Sequence, residues 1–146
     1  MLAPFNDIYI FEVEVTSQNL FAAKNFLNIL SSFELSQLNK FKTYDDYAVY
    51  LVSHVILRML ISKYTSIKAD KIIYGYNKNG KPFLFSKIKN FKFNLSHSTE
   101  RILIGFYNKE IGVDIEYKKE LENYNDLAHY VFSEEEKSCK RLAKPV

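Results

Sequence analysis

Residues 43–64, TYDDYAVYLVSHVILRMLISKY, carry the clearest periodicity in the chain. Ala48, Leu51, Val52, Val55, Ile56, Met59 and Leu60 recur at the i, i+3, i+4 spacing of one helical face, which predicts a long core helix over 44–64. Thr43 is placed to cap it, and Asp45 and Asp46 fall in the first turn, where the helix dipole favours negative charge. Working outward, 8–15 alternates, with Tyr9, Phe11, Val13 and Val15 on one face and Ile8, Ile10, Glu12 and Glu14 on the other, the pattern of a strand. Ser17 then caps a helix over about 18–30, and a shorter helix follows at 34–40.

Beyond 71 the pattern changes to short apolar runs separated by turn residues. Strands are expected at 72–76, 83–85, 91–95, 101–107 and 111–117, the first two joined by Asn77-Lys78-Asn79-Gly80 and the last two by Asn108-Lys109-Glu110 as an antiparallel hairpin. Helices return at 122–130 and 133–142, the second capped by Ser133 with Glu134, Glu135 and Glu136 near its N-terminus. No internal repeat or linker interrupts the run. The expected fold is α+β, a mostly antiparallel sheet packed by the long helix, with 1–146 as one domain.

Composition narrows the function. A hydrophobic fraction of 47% with 16% aromatic residues supports a packed core and argues against disorder. The net charge of +3, from 20 basic and 17 acidic residues, is too small to indicate duplex nucleic acid, and the lysine-rich stretches 63–71 and 87–92 lack interleaved stacking platforms. A phosphorylated small ligand or an acidic protein partner suits such a charge. Cys139 stands alone, which excludes an intrachain disulfide or a cysteine-built zinc site and points to a reducing cytoplasm. No apolar run approaches the roughly 20 residues that cross a bilayer, and 1–15 has no basic leader. A soluble intracellular protein is expected, acting on neither membrane nor nucleic acid.

Three motifs carry chemistry. In Gly80-Lys81-Pro82 glycine permits a backbone reversal, proline fixes the exit, and Lys81 is a point charge on a constrained loop; a plain hairpin turn reads the same way. Ser96-His97-Ser98 ends an apolar strand, where His97 is suited to hold a phosphate or move a proton and the hydroxyls to donate to phosphate oxygens. A strand terminus whose histidine meets a backbone carbonyl is the alternative. Adjacent Ser96 and His97 with Asp114 do not make a hydrolase triad, and no G-x-S-x-G elbow exists.

Ile111-Gly112-Val113-Asp114-Ile115-Glu116 is the strongest of the three. Positions i and i+2 of a strand share a face, so Asp114 and Glu116 point the same way, and two like charges that close call for a cation. Oxygen-only ligands favour a hard ion, and two carboxylates with substrate phosphates are a common way to hold magnesium. An exposed acidic strand face is the alternative, as Glu12 and Glu14 illustrate. Gly112 suggests close backbone approach, and Ile111, Val113 and Ile115 suggest a buried strand. His54 and Arg58, one turn apart on the long helix, are placed either to face a ligand or to pack.

Taken in order, Gly80-Lys81-Pro82, Phe93-Asn94-Leu95-Ser96-His97-Ser98, Ile111 to Glu116 and Phe132-Ser133-x-x-Glu136 resemble the 4′-phosphopantetheinyl transferases of the surfactin-synthetase-activating type. The match runs from Gly80 to Glu136, and more loosely over 33–60, where His54-Val55-Ile56-Leu57-Arg58 looks like the family's helix before the sheet. The resemblance implies transfer of the phosphopantetheine arm of coenzyme A to a serine of an acyl or peptidyl carrier protein. The clients would be fatty-acid, polyketide or nonribosomal-peptide synthesis.

It implies magnesium on Asp114 and Glu116, coenzyme contacts from Lys81, Pro82, Ser96 and His97, and a catalytic set of Asp114, Glu116 and His97. Where the family carries a phosphate-contacting arginine this chain has Val49, so Arg58, Lys40 or Lys42 is expected to help hold the coenzyme. The family continues into a tryptophan-x-x-lysine-glutamate motif, and this chain has no tryptophan. The resemblance therefore implies the N-terminal lobe of a longer enzyme, completed in the short form by self-association, or else a non-catalytic remnant that binds coenzyme A or a carrier protein.

Overall fold

The computed structural model describes residues 6–78, 81–86, 88, 90–118 and 133. The helices expected at 122–130 and 133–142 lie outside the described residues, Ser133 apart, as do Gly80, Phe132 and Glu136.

Helix α3 (Tyr44–Thr65) forms as its periodicity requires. The Thr43 hydroxyl accepts from the Asp46 amide at 3.1 Å and donates to the Asp46 carboxylate, which closes the N-terminus, and Ser66 ends the helix in the left-handed region at φ 61°. Ala48, Leu51, Val52 and Val55 face the core as expected. Further along, the buried face turns toward the neighbouring helix and the 69–71 turn, so Leu57, Arg58 and Ile61 lie inside while Met59, expected inside, is 44% exposed.

Two shorter helices precede it. In α1 (Ser17–Lys24) the cap is Thr16 and not Ser17, its hydroxyl accepting from the Asn19 amide at 3.1 Å. The helix stops well short of 30, and a single 3₁₀ turn, Leu27–Ile29, follows. In α2 (Ser32–Leu38) Ser31 and Glu34 form a capping box: the Ser31 amide donates to Glu34 at 2.8 Å, and the Glu34 amide to the Ser31 hydroxyl at 3.3 Å.

The sheet consists of β1 (Tyr9–Glu14), β4 (Lys92–Ser98) and β5 (Arg101–Tyr107), antiparallel throughout, in the order β1-β5-β4. A separate ribbon pairs β2 (Tyr74–Tyr76) with β3 (Pro82–Leu84). Phe11, Val13, Phe93, Leu95, Ile102, Ile104 and Phe106 form the inner face and pack with α3 and α1 into one core. On the outer face Arg101 donates to Glu12 at 2.9 Å, so that acidic pair is neutralised in place.

The expected hairpin between 101–107 and 111–117 does not form. Both edges of β5 are already taken, by β1 on one side and β4 on the other, so no ladder position remains for 111–117. The architecture is α+β, an antiparallel sheet packed by the long helix. Among the described residues no helix is long and apolar enough to cross a membrane.

Candidate functional site

Without a ladder, segment 111–117 lies extended across the outer face of the sheet and is held by side chains of β4. The Val113 amide donates to Asn94 Oδ1 at 2.7 Å, the Ile115 amide to Ser96 Oγ at 3.3 Å, and the Tyr117 amide to Ser98 Oγ at 3.0 Å. All three pairs share one sequence separation, 19, so this strap runs parallel to β4 in constant register. Alternation along β4 puts Asn94, Ser96 and Ser98 on the same face, which is why one strand presents three acceptors in a row.

Gly105 makes room for the strap. It sits opposite Asn94 in the β4–β5 register, and a Cβ there would lie 2.6 Å from Val113 Cγ1 and 3.0 Å from Ile111 Cδ1. The close approach expected at Gly112 is absent among the described residues, none of which lies within 4 Å of its Cβ position. Val113 and Ile115 are half-buried against the sheet and not the interior of a buried strand. Gly105→Val is expected to lift the strap and cost about 1–3 kcal/mol, the range for overpacking a fitted contact, read by urea denaturation.

Asp114 and Glu116 are exposed and share one side of the strap, as the i, i+2 spacing requires. The Ser96 hydroxyl donates to Asp114 Oδ1 at 2.8 Å, and the Ser98 hydroxyl lies 3.5 Å from Glu116 Oε2. Among the described residues neither carboxylate has a salt bridge. No set of three His, Cys, Asp or Glu side chains converges among them either. The donor chemistry of this pair fits part of the coordination shell of a hard divalent cation, with ligand oxygens or water supplying the rest.

Lys81 lies beside the start of the strap. Its ammonium donates to the Ile111 carbonyl at 2.6 Å and lies 4.0 Å from Glu110, whose carboxylate also receives Lys92 at 3.0 Å. The hydrogen bond and charge of Lys92 hold the Glu110 carboxyl below the usual range. Lys81 and Pro82 line a cleft of about 430 Å³ with Phe83, Phe91, Lys92 and Glu110.

The serine-histidine-serine run is split by the sheet. His97 belongs to the inner-face set of β4 and, exposed at the strand's end, lines a cleft of about 570 Å³ with Thr16, Leu20, Asp45, Val49 and Glu100. Ser96 and Ser98 face the strap on the other side. Lys40 and Lys42 are exposed and flank Phe41, which also lines the His97 cleft.

Arg58, expected to help hold a coenzyme, is 1% exposed and committed to the interior. Its guanidinium donates to Glu34 from Nε at 2.9 Å and from Nη2 at 2.6 Å, and Nη1 donates to the carbonyls of Ala69 and Ile72 at 2.7 and 3.1 Å. His54 Nδ1 lies 2.9 Å from the other Glu34 oxygen, and its ring stacks on Tyr50. Burial alone would push the Glu34 carboxyl up. Hydrogen bonds from His54, Arg58 and Ser31 outweigh it and hold the group down at about 2. His54 and Arg58 thus lock α2 onto α3, the packing outcome of the two the sequence left open.

The chain matches the family model of the 4′-phosphopantetheinyl transferase N-terminal region over residues 17–105. It is 30% identical over 106 residues to the 4′-phosphopantetheinyl transferase HetI of a Nostoc species, covering 70% of this chain and 45% of that protein. With the 4′-phosphopantetheinyl transferase Sfp of Bacillus subtilis it shares 26% identity over 115 residues, 79% of this chain and 50% of Sfp. The chain spans about half the length of the curated relatives it matches. Among solved structures, a holo-(acyl-carrier-protein) synthase from Bacillus anthracis, in complex with CoA (3′,5′-ADP), superposes with a TM-score of 0.54 at 20% identity. That match covers 71% of this chain and 96% of the synthase. A holo-[acyl-carrier-protein] synthase from Neisseria meningitidis gives 0.52 at 16% identity, covering 73% and 99%. The antiparallel sheet with its long packing helix is the fold these synthases share.

Proposed function

Since the chain belongs to the 4′-phosphopantetheinyl transferase family, we propose that it acts in moving the phosphopantetheine arm of coenzyme A to a serine hydroxyl of an acyl or peptidyl carrier protein. The serine oxygen bonds to the phosphorus that bears pantetheine and gives up its proton to water, the pyrophosphate bridge breaks, and adenosine 3′,5′-bisphosphate leaves. The observation that carries this reading is the strap. It presents two exposed carboxylates on one side, with hydroxyl donors beneath them and no salt bridge to either among the described residues.

In this reading Asp114 and Glu116 hold magnesium, which supplies charge neutralisation on the pyrophosphate. Lys81 and Pro82 meet the coenzyme from the 430 Å³ cleft beside the strap. His97 meets it from the other cleft, at the opposite end of β4 from the Lys92 and Phe93 that line the Lys81 cleft. Positioning and charge neutralisation are the main demands of phosphoryl-type transfer, and these groups supply both.

A second reading has its own support. The acidic set among the described residues stops at two, which suits a module that binds coenzyme A or a carrier protein without turnover. Calorimetric titration of coenzyme A tests the shared premise. Affinity is expected to fall about tenfold or more when magnesium is replaced by EDTA, and equal affinity with and without the ion would remove the metal from the account.

A further inference from the structure

We propose that Asn94 and Ser98, together with Ser96, are positioning residues: a side-chain ladder on β4 that fixes the strap and thereby sets the spacing of Asp114 and Glu116. The proposal rests on the reading that these carboxylates hold a cation. Three backbone amides at 113, 115 and 117 meet three side chains at 94, 96 and 98 in unbroken register. Among the described residues the segment has no ladder partner to hold it instead.

Each rung does a different job. Asn94 carries no carboxylate and makes the shortest bond, 2.7 Å, just before Asp114, so it anchors the strap over Gly105 without touching the cation site. The Ser96 hydroxyl accepts from the Ile115 amide and donates to Asp114, so one atom fixes both the backbone and the carboxylate's orientation. Ser98 repeats the arrangement one step on, with Tyr117 and, at 3.5 Å, Glu116. Lys81 secures the strap's beginning through the Ile111 carbonyl. Outer partners of this kind orient metal ligands, and their loss typically weakens metal affinity about 10–100-fold.

Amide hydrogen exchange on the full chain without metal, followed by Mn²⁺ titration read as paramagnetic broadening at residues 114 and 116, tests this. In the wild type the amides of Val113, Ile115 and Tyr117 are expected to be protected and those of Asp114 and Glu116 not. Asn94→Ala should abolish the Val113 protection and weaken Mn²⁺ about tenfold, while leaving the exchange of β5 unchanged. Asn94→Asp keeps the acceptor oxygen and should restore the protection; Ser98→Thr should retain Tyr117 protection where Ser98→Ala loses it. Unchanged Val113 exchange in Asn94→Ala, or lost protection with wild-type Mn²⁺ affinity, would overturn the proposal. A wild type that keeps the alternating protection yet takes up no Mn²⁺ would sink the functional reading and support the ladder.

Discussion

Replacing Glu34 by alanine is expected to destabilise the protein by about 3–5 kcal/mol, the usual cost of leaving a buried charge without its partner. Arg58 is 1% exposed, and Glu34 supplies its only anionic contact among the described residues; the carbonyls of Ala69 and Ile72 then face a guanidinium with nothing opposite. The same change removes the side-chain half of the Ser31–Glu34 capping box, in which the Ser31 amide donates to the carboxylate, and the contact to His54. Ser31→Ala isolates the cap alone and should cost about 1 kcal/mol. Glu34→Leu combined with Arg58→Met should recover most of the loss, because the desolvation penalty disappears with both charges. Urea denaturation checks the set, and a Glu34→Ala loss below about 1 kcal/mol would contradict the packing described above.

The same carboxylate sets an acid limit. Its folded value, about 2, lies below the unfolded value near 4.5, so the unfolded chain binds the proton more readily. Its contribution is therefore complete above pH 4.5 and is lost as pH falls from 4.5 toward 2. Thermal melts of wild type and Glu34→Gln across that window should converge at the acid end.

Asp114→Ala is expected to lower the rate of carrier modification by on the order of 10²–10³, the range seen when one fixed electrostatic contact to a developing charge is removed. Coenzyme affinity should at the same time lose its dependence on magnesium. The fold should not suffer, because Asp114 is exposed and the strap is held through its backbone and not through that side chain. Glu116→Ala should follow the same pattern, and a melting temperature within a few degrees of wild type separates both effects from unfolding. If activity falls only together with stability, the carboxylates are structural.

What the sequence discloses here depends on how local the determining physics is. Helix α3 was legible because its cap, its acidic first turn and its apolar spacing lie in one continuous run. Only the far end misled: Met59 and Leu57 exchange inside and outside because α2 and the 69–71 turn pack on a side that periodicity does not mark. The paired carboxylates were legible for the same local reason. Their backbone setting was not, because strand pairing is a contest, and β1 takes the edge of β5 that a sequential hairpin would have used. Period-2 alternation in Asn94, Ser96 and Ser98 was visible in the sequence, yet only the strap explains three acceptors in a row.

The same alternation places His97 opposite Ser96, which reading the run as one cluster overlooked. The Gly105 approach left no signal, since a glycine in a strand announces proximity without naming the neighbour. Glu34 had a signal, the S-x-x-E capping box beginning at Ser31, but nothing local tied it to Arg58 across 24 residues.

The most direct test is the intact mass of an apo carrier protein after incubation with this chain, coenzyme A and magnesium. A gain of one phosphopantetheine arm, absent with Asp114→Ala and absent in EDTA, is the result expected. An unchanged carrier mass at high concentration of the folded chain would contradict the transferase reading.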